Sequence, residues 1–392
     1  MKDEAQPLSD DRRRKVWINR TDGELDDLVR LCDRETRLED WPHAQATEQN
    51  VLIYDAAKAA ETRGEERLAL MAEWATAFRT GPGVIVLRGA IPNAAVMDRA
   101  TEVFSAIIAE EKDASARGDY FITAGSNDRV WNSLQKHCLA DPKNFADYFS
   151  YSAIDMACRA WLGPGYQMTA QCFRVNPGGK AQDAHRDYHL GFMTPERQEA
   201  YPAHVQELSP MLTLQGGVAH IDMPLETGPT LYLPYSQMYF EGYLAFERPE
   251  FQDYFQSARS QLPMNKGDAI FFNPAVMHCA GANVTEDRFR LVNLLQVSSA
   301  MGRPMEAIDR TRMITALFPV LSGGGWSEDA LERIISASAE GYAFPTNLDT
   351  DPAVGGMSPR THADLMRDAL ADGTTPAAFT ALIDTLDARR RG

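Results

Sequence analysis

From about Tyr166 onward the chain reads as a series of short apolar runs separated by glycine- and proline-bearing turns, and no other feature narrows its fold more. The runs are YQMTAQCFRVN, a segment through His185, LTLQGGVAHIDM, TLYLP, KGDAIFFNP (Lys266 to Pro274) and FRLVNLLQVS (Phe289 to Ser298), with NPGGK and LETGP among the breaks. Runs of this length and texture are strands, and many short strands so punctuated make a sandwich or a barrel. An earlier run, GVIVLRGAIP (Gly83 to Pro92), is a further buried strand. A helix follows it at once, its start marked by Pro92-Asn93 and its inward stripe formed by Val96, Ala100, Val103, Phe104 and Ile107.

The flanks are helical. Before Gly83, Leu68, Met71, Trp74 and Phe78 recur at intervals of three or four and share a face. After about Ala300, SEDALERIISASAE opens on Ser327 with Glu328 in its first turn. Tyr239 to Ser260, aromatic and acidic, reads as a helical insertion over the barrel mouth. The expectation is a mainly β protein with flanking helices (α+β). A helical extension covers 1–82, the sheet core covers 83–300, and a second helical extension, 301–392, packs on the core.

Composition removes whole classes of function. The chain has 55 acidic against 39 basic residues, a net charge of −16, which repels a phosphate backbone and excludes nucleic acid as a partner. Its cysteines (Cys32, Cys138, Cys158, Cys172, Cys279) are odd in number, scattered and never paired as CxxC. They suggest neither a disulfide framework nor a thiolate zinc site, and they fit a reducing, cytoplasmic setting. No run approaches the roughly 20 apolar residues of a membrane span, and the opening residues lack the apolar core of a secretory signal.

Chemistry concentrates in AQDAHRDYHLGF, which contains His185-Arg186-Asp187. On extended backbone, residues i and i+2 point the same way, so an imidazole and a carboxylate can converge on one metal ion. His278, after a strand and before a glycine-containing turn, is the best third ligand. Two histidines and a carboxylate leave coordination positions open, the arrangement of non-haem Fe(II) oxygenases. Such enzymes commonly draw electrons from 2-oxoglutarate, whose distal carboxylate calls for a guanidinium. Arg288 and Arg290 both stand at the entry to the last strand; two apart, they would share a face, so parity does not choose between them.

The region from Gly83 to Ser298 resembles the phytanoyl-CoA dioxygenase family of Fe(II)/2-oxoglutarate-dependent oxygenases. The resemblance rests on GVIVLRGAIP with its helix, His185-Arg186-Asp187, ETGPTLYLPYSQ, KGDAIFFNPAVMH and HCAGANVTEDRFRLVN. It implies a double-stranded β-helix (a cupin-like jelly roll) of two antiparallel sheets carrying one iron, held by His185, Asp187 and His278. It also implies that Arg290, which directly precedes LVNLL as the family's arginine does, binds the cosubstrate, with Arg288 in reserve. Arg174 and Asn176 resemble, loosely, the polar pair that helps hold the cosubstrate. The family usually has histidine where this chain has Gln237. Halogenating relatives replace the carboxylate with Ala or Gly; retention of Asp187 favours hydroxylation of a small organic substrate, with O2 consumed and succinate and CO2 released.

Other residues have quieter readings. His220-Ile221-Asp222 is a second HxD, structural or pocket-lining; Asp268 belongs to a turn; and Cys279 faces away from its neighbour His278. Tyr188 is either a core aromatic or a substrate contact, and His189 lies beside the pocket. Two rival functions remain: a cupin-like metal enzyme that does not use 2-oxoglutarate, and a non-catalytic binding protein on the same fold. The helical additions fall outside the resemblance and are where lids or homo-oligomer contacts would form.

Overall fold

Val84-Ile85-Val86-Leu87 is apolar without alternation because both faces of its strand are buried. Val84 and Val86 face a second sheet, whereas Ile85 and Leu87 face a layer of helices. The computed structural model describes residues 15–114 and 127–391. Its strands are β1 (Ala46–Glu48), β2 (Val51–Asp55), β3 (Val84–Arg88), β4 (Asn127–Val130), β5 (Gln167–Val175) and β6 (Thr213–Ala219). They continue with β7 (Leu231–Leu233), β8 (Ser260–Gln261), β9 (Ala269–Phe272), β10 (Met277–Cys279) and β11 (Arg290–Ser298).

The large sheet runs β1-β2-β3-β9-β6-β11-β5-β4 and the small one β10-β7-β8. All ladders are antiparallel except β2 with β3. From β5 onward the chain passes back and forth between the sheets. It leaves β5 for a bridge between His185 and His278, returns for β6, crosses for β7 and β8, returns for β9, crosses for β10 and ends in β11. This winding is a double-stranded β-helix, or jelly roll. The small sheet is fastened by Ser236, whose hydroxyl donates to Leu233 O at 2.6 Å and accepts the Met277 N–H at 2.8 Å.

The expectation of a mainly β protein is corrected: the described structure is 46% helical. The reason is the outer face of the large sheet, which is as apolar as the inner face and must be covered. The cover comes from α1 (Gly64–Arg79), α2 (Ala94–Ala114), α3 (Ser133–Ala140), α4 (Pro142–Phe149), α5 (Ser152–Leu162), α7 (Arg310–Ser322), α8 (Glu328–Ser338), α9 (His362–Ala371) and α10 (Pro376–Arg391). In one cluster with Ile85, Leu87, Cys172 and Leu295 of the sheet sit Trp74, Phe78, Phe104, Phe145, Phe318 and Phe379. Each fully buried side chain of this size contributes roughly 1.5–3 kcal/mol. Helix α6 (Pro249–Ala258) instead belongs to the insertion between β7 and β9.

The N-terminal segment also departs from a purely helical extension. Residues 46–55 form β1 and β2, which lengthen the large sheet through the parallel pairing of β2 with β3. In α1 the buried face is Leu70, Trp74, Ala77 and Phe78, while Leu68 is exposed. Residues 1–14 of the expected extension lie outside the described residues. At the other end Ser327 caps α8 as its sequence implies, accepting the Ala330 N–H.

Candidate active site

His185 and His278 face each other across the small sheet: each accepts the other's backbone N–H, at 2.9 and 3.0 Å. Extended backbone then brings Asp187 to the same side as His185. His185 Nε2 lies 3.6 Å from Asp187 Oδ1, and His278 Nε2 lies 3.5 Å from Asp187 Oδ2. One donor atom from each of the three residues falls within 4.8 Å of the others, close enough for one ion to reach all three.

The tautomers follow from the partners. His185 Nδ1 meets the Asp183 carbonyl at 2.8 Å and His278 Nδ1 meets the Val276 carbonyl at 2.9 Å. A carbonyl only accepts, so both Nδ1 atoms carry the proton and both Nε2 lone pairs point at Asp187. This is the arrangement of metal-ligating histidines. Burial pushes the His185 imidazole toward its neutral, ligating form. For Asp187, burial raises the carboxyl, but without metal the charge of His185 and a hydrogen bond from His278, both present only when these rings are protonated, together with the hydrogen bond from Gln215 outweigh it and hold the carboxylate well below its usual range. Phe272 packs edge-on against His278 with ring centres 4.7 Å apart, and Tyr232 stacks over it at 6.3 Å.

Between these ligand candidates, Arg186 turns the other way. It is fully buried, donates to Ser236 O and to Tyr239 O at 2.9 Å, and lies over the Tyr243 ring at 5.3 Å. After Asp187 the chain reverses through Tyr188, at φ 66° and ψ 147°, and His189, at φ 32°. These are conformations that side-chain-bearing residues rarely adopt.

The three donors open on a cavity of about 750 Å³, within the usual range for an organic ligand. Along β11, Arg290, Val292, Leu294 and Gln296 line it by alternation. The Arg290 guanidinium is buried, with only long contacts to the Thr227 and Gly281 carbonyls at 3.4 and 3.5 Å. Burial pushes it down to about 10. No carboxylate among the described residues pairs with it, so a buried positive charge faces the cavity in want of an anion. Arg288 precedes the strand and is exposed, its carbonyl held by Asn283 and Thr285.

The remaining sequence candidates sit elsewhere. Arg174 projects from the outer face of β5 and lies over Phe289 at 4.1 Å, while Asn176 reaches Asp128 at 3.3 Å. Neither lines the cavity. Tyr188 is buried in the core, and His189 bonds Ser209 Oγ at 3.0 Å outside the cavity. His220 is buried between Thr101 and Tyr148, and Asp222 accepts the Lys266 N–H. Cys279 faces an apolar cluster, its thiol pushed up to about 12 by burial. Gln237 donates to Gly81 O at 2.8 Å, away from the cavity.

The sequence reading did not single out Gln171, Gln215, Gln296 and Arg129, all of which line the cavity. Strand alternation was their one signal: Gln171 shares parity with Phe173, and Gln296 with Arg290. Arg129 rides on β4, an unexpected strand, with its guanidinium 4.5 Å from the centre of the Phe173 ring.

A jelly roll with two histidines and one carboxylate on the wall of its cavity defines the class of mononuclear non-haem iron proteins. The chain belongs to the phytanoyl-CoA dioxygenase family of Fe(II)/2-oxoglutarate-dependent oxygenases, whose sequence model (Phytanoyl-CoA dioxygenase, PhyH) matches residues 79–292. No curated protein matches the sequence. Among solved structures, the chain is similar to the non-heme alpha ketoglutarate dependent carbocyclase SnoK from nogalamycin biosynthesis, at 18% identity over 62% of this chain and 86% of that one, TM-score 0.43. It is also similar to HygX from Streptomyces hygroscopicus with nickel, 2-oxoglutarate and hygromycin B bound, at 15% identity over 58% and 87% of the two chains, TM-score 0.41. Among the described residues no helix is long and apolar enough to cross a membrane.

Proposed function

We propose that the protein is an Fe(II)/2-oxoglutarate-dependent dioxygenase that hydroxylates a small organic substrate, with His185, Asp187 and His278 as iron ligands and Arg290 as the cosubstrate anchor. The observation that carries this reading is the convergence of two Nδ1-protonated imidazoles and an ionised carboxylate on the cavity that Arg290 also lines. When bound, iron and 2-oxoglutarate supply the oxidising chemistry with dioxygen: one oxygen atom enters the substrate C–H bond and the other the cosubstrate, which leaves as succinate and CO2.

The chain's own residues orient and shield. The carbonyls of Asp183 and Val276 fix the imidazole planes, and Gln215 fixes the carboxylate. Arg290 offers a planar pair of donors to the distal carboxylate of the cosubstrate, a pairing strengthened by its dry surroundings. Phe272 and Tyr232 keep water from one side of His278. Retention of the carboxylate at Asp187 supports hydroxylation over halogenation. The scatter of the five cysteines, none in a CxxC pair, supports a reducing, cytoplasmic setting.

The test is anaerobic addition of 2-oxoglutarate to the iron-loaded protein, followed by oxygen and a substrate screen. A visible charge-transfer band and substrate-dependent succinate release are expected. Metal binding without any band would favour a cupin-like enzyme that does not use this cosubstrate, and failure to bind metal would favour a binding protein.

A further inference from the structure

Two glutamines on the inner face of the large sheet carry amide oxygens that find no hydrogen-bond partner among the described residues. Gln215 on β6 and Gln296 on β11 are direct partners in the antiparallel register, 5% and 6% exposed, and both line the cavity. The orientation of Gln215 is fixed chemically. Its Nε2 lies 2.6 Å from Asp187 Oδ2. An ionised carboxylate only accepts, so the amide nitrogen must be on that side and Oε1 on the other. Gln215 Oε1 is buried without a hydrogen-bond partner, and so is Gln296 Oε1.

A buried acceptor left unpaired costs about 1–3 kcal/mol, and here two stand on neighbouring strands beside a metal-binding carboxylate. The third glutamine of the wall supplies the contrast, because Gln171 Oε1 is occupied by Arg129 Nη1 at 2.9 Å. Charge narrows what the free pair would accept. The guanidinium groups of Arg129 and Arg290 are both on this wall, and the positive charge of Arg129 is felt at His185. The acids that also line the cavity, Asp183 and Glu247, are exposed on its rim. A buried ammonium would find cations and no free carboxylate, whereas neutral hydroxyl groups suit two neutral acceptors.

We propose that Gln215 and Gln296 form an acceptor pair for hydroxyl groups of a polyhydroxylated substrate, which they hold beside the metal. This rests on the oxygenase reading above. The two positions lie about 5 Å apart at Cβ, a span that two hydroxyls of one carbon chain or ring can meet.

The experiment titrates the iron-loaded protein, with 2-oxoglutarate and without oxygen, with a panel of sugar alcohols and monosaccharides. Each is paired with its O-methylated ether and its amino analogue, and heat release and the visible band are followed. The expected result is that at least one polyol binds on the order of 10–100-fold more tightly than its ether. Gln296→Leu should erase that preference with 2-oxoglutarate affinity retained, and Gln296→Glu, which keeps an acceptor, should preserve it. Ethers or amines binding as well as polyols, no polyol binding at all, or a Gln296→Leu protein with unchanged preference would each overturn the proposal. Polyol binding that depends on Gln296 in a protein that ignores 2-oxoglutarate would keep the acceptor pair and overturn the oxygenase reading instead.

Discussion

Gln215 holds Asp187: its side-chain amide donates to Oδ2 at 2.6 Å, tying the middle of β6 to the turn that carries the carboxylate. Outer partners of this kind set the direction of a ligand's lone pairs, and their loss typically lowers metal affinity or activity about 10–100-fold. Gln215→Leu is therefore expected to weaken Fe(II) or Co(II) binding by that factor. Because the change also removes an unpaired buried oxygen, thermal stability should move little. A metal titration beside a melting curve checks both, and unchanged metal affinity would mean that Asp187 needs no such support.

Removing the carboxylate itself is the sharper test of the proposed ligand set. Asp187→Ala is expected to reduce metal content and succinate release to background. Far-UV circular dichroism should be unchanged, because the sheets and the helical cover do not depend on this side chain. Full succinate release from the variant would sink the assignment.

The metal-ligand candidates were legible because their signal is local: on extended backbone an i, i+2 pair must share a side, whatever the rest of the chain does. His278 was legible through its place after KGDAIFFNP. The two arginines could not be separated by parity because parity needs a strand boundary. β11 begins at Arg290, and Arg288 belongs to the turn whose carbonyls Asn283 and Thr285 gather. Gln215 and Gln296 carry no motif. Their meaning comes from pairing across strands far apart in sequence, which only the fold brings about. The helical share was underread for a related reason: the unbroken run Val84 to Leu87 announces a strand covered on both faces, but does not say what covers it.

The two arginines should separate cleanly in solution. Arg290→Ala removes a buried charge partner of the kind whose truncation costs about 2–5 kcal/mol, so the Kd for 2-oxoglutarate should rise at least 30-fold. Arg288→Ala, on the exposed turn, should leave it within about twofold. Isothermal titration under anaerobic conditions reads both values. Equal effects would show that Arg290 is not the anchor.

Arg186 depends on a glycine. A Cβ at Gly242 would lie 1.9 Å from the Arg186 guanidinium carbon, so only glycine lets this buried side chain reach its carbonyl acceptors on Ser236 and Tyr239. Gly242→Ala forces either the guanidinium or the helical turn Gly242–Ala245 to shift, an overpacking cost of about 1–3 kcal/mol. Arg186 stands between His185 and Asp187, so the shift should also weaken metal binding. Denaturant unfolding and a metal titration on the same variant test the link, and a destabilised protein with normal metal affinity would break it.

Two histidines away from the cavity should make the fold acid-sensitive. Burial pushes His137 down to about 4 and His220 to about 3, and both are packed around Phe104 and Tyr148. Unfolded, each titrates near 6.5, so below that pH the unfolded chain binds protons that the folded one refuses. Their contribution is thus fully present above about pH 6.5 and is lost as pH falls toward 4. At pH 5 each histidine costs roughly 2 kcal/mol of stability relative to pH 7. The urea midpoint should drop between these values, and His220→Gln, which removes one titrating group, should make the drop smaller even if it lowers stability at pH 7. An equal pH dependence in the variant would place the acid sensitivity elsewhere.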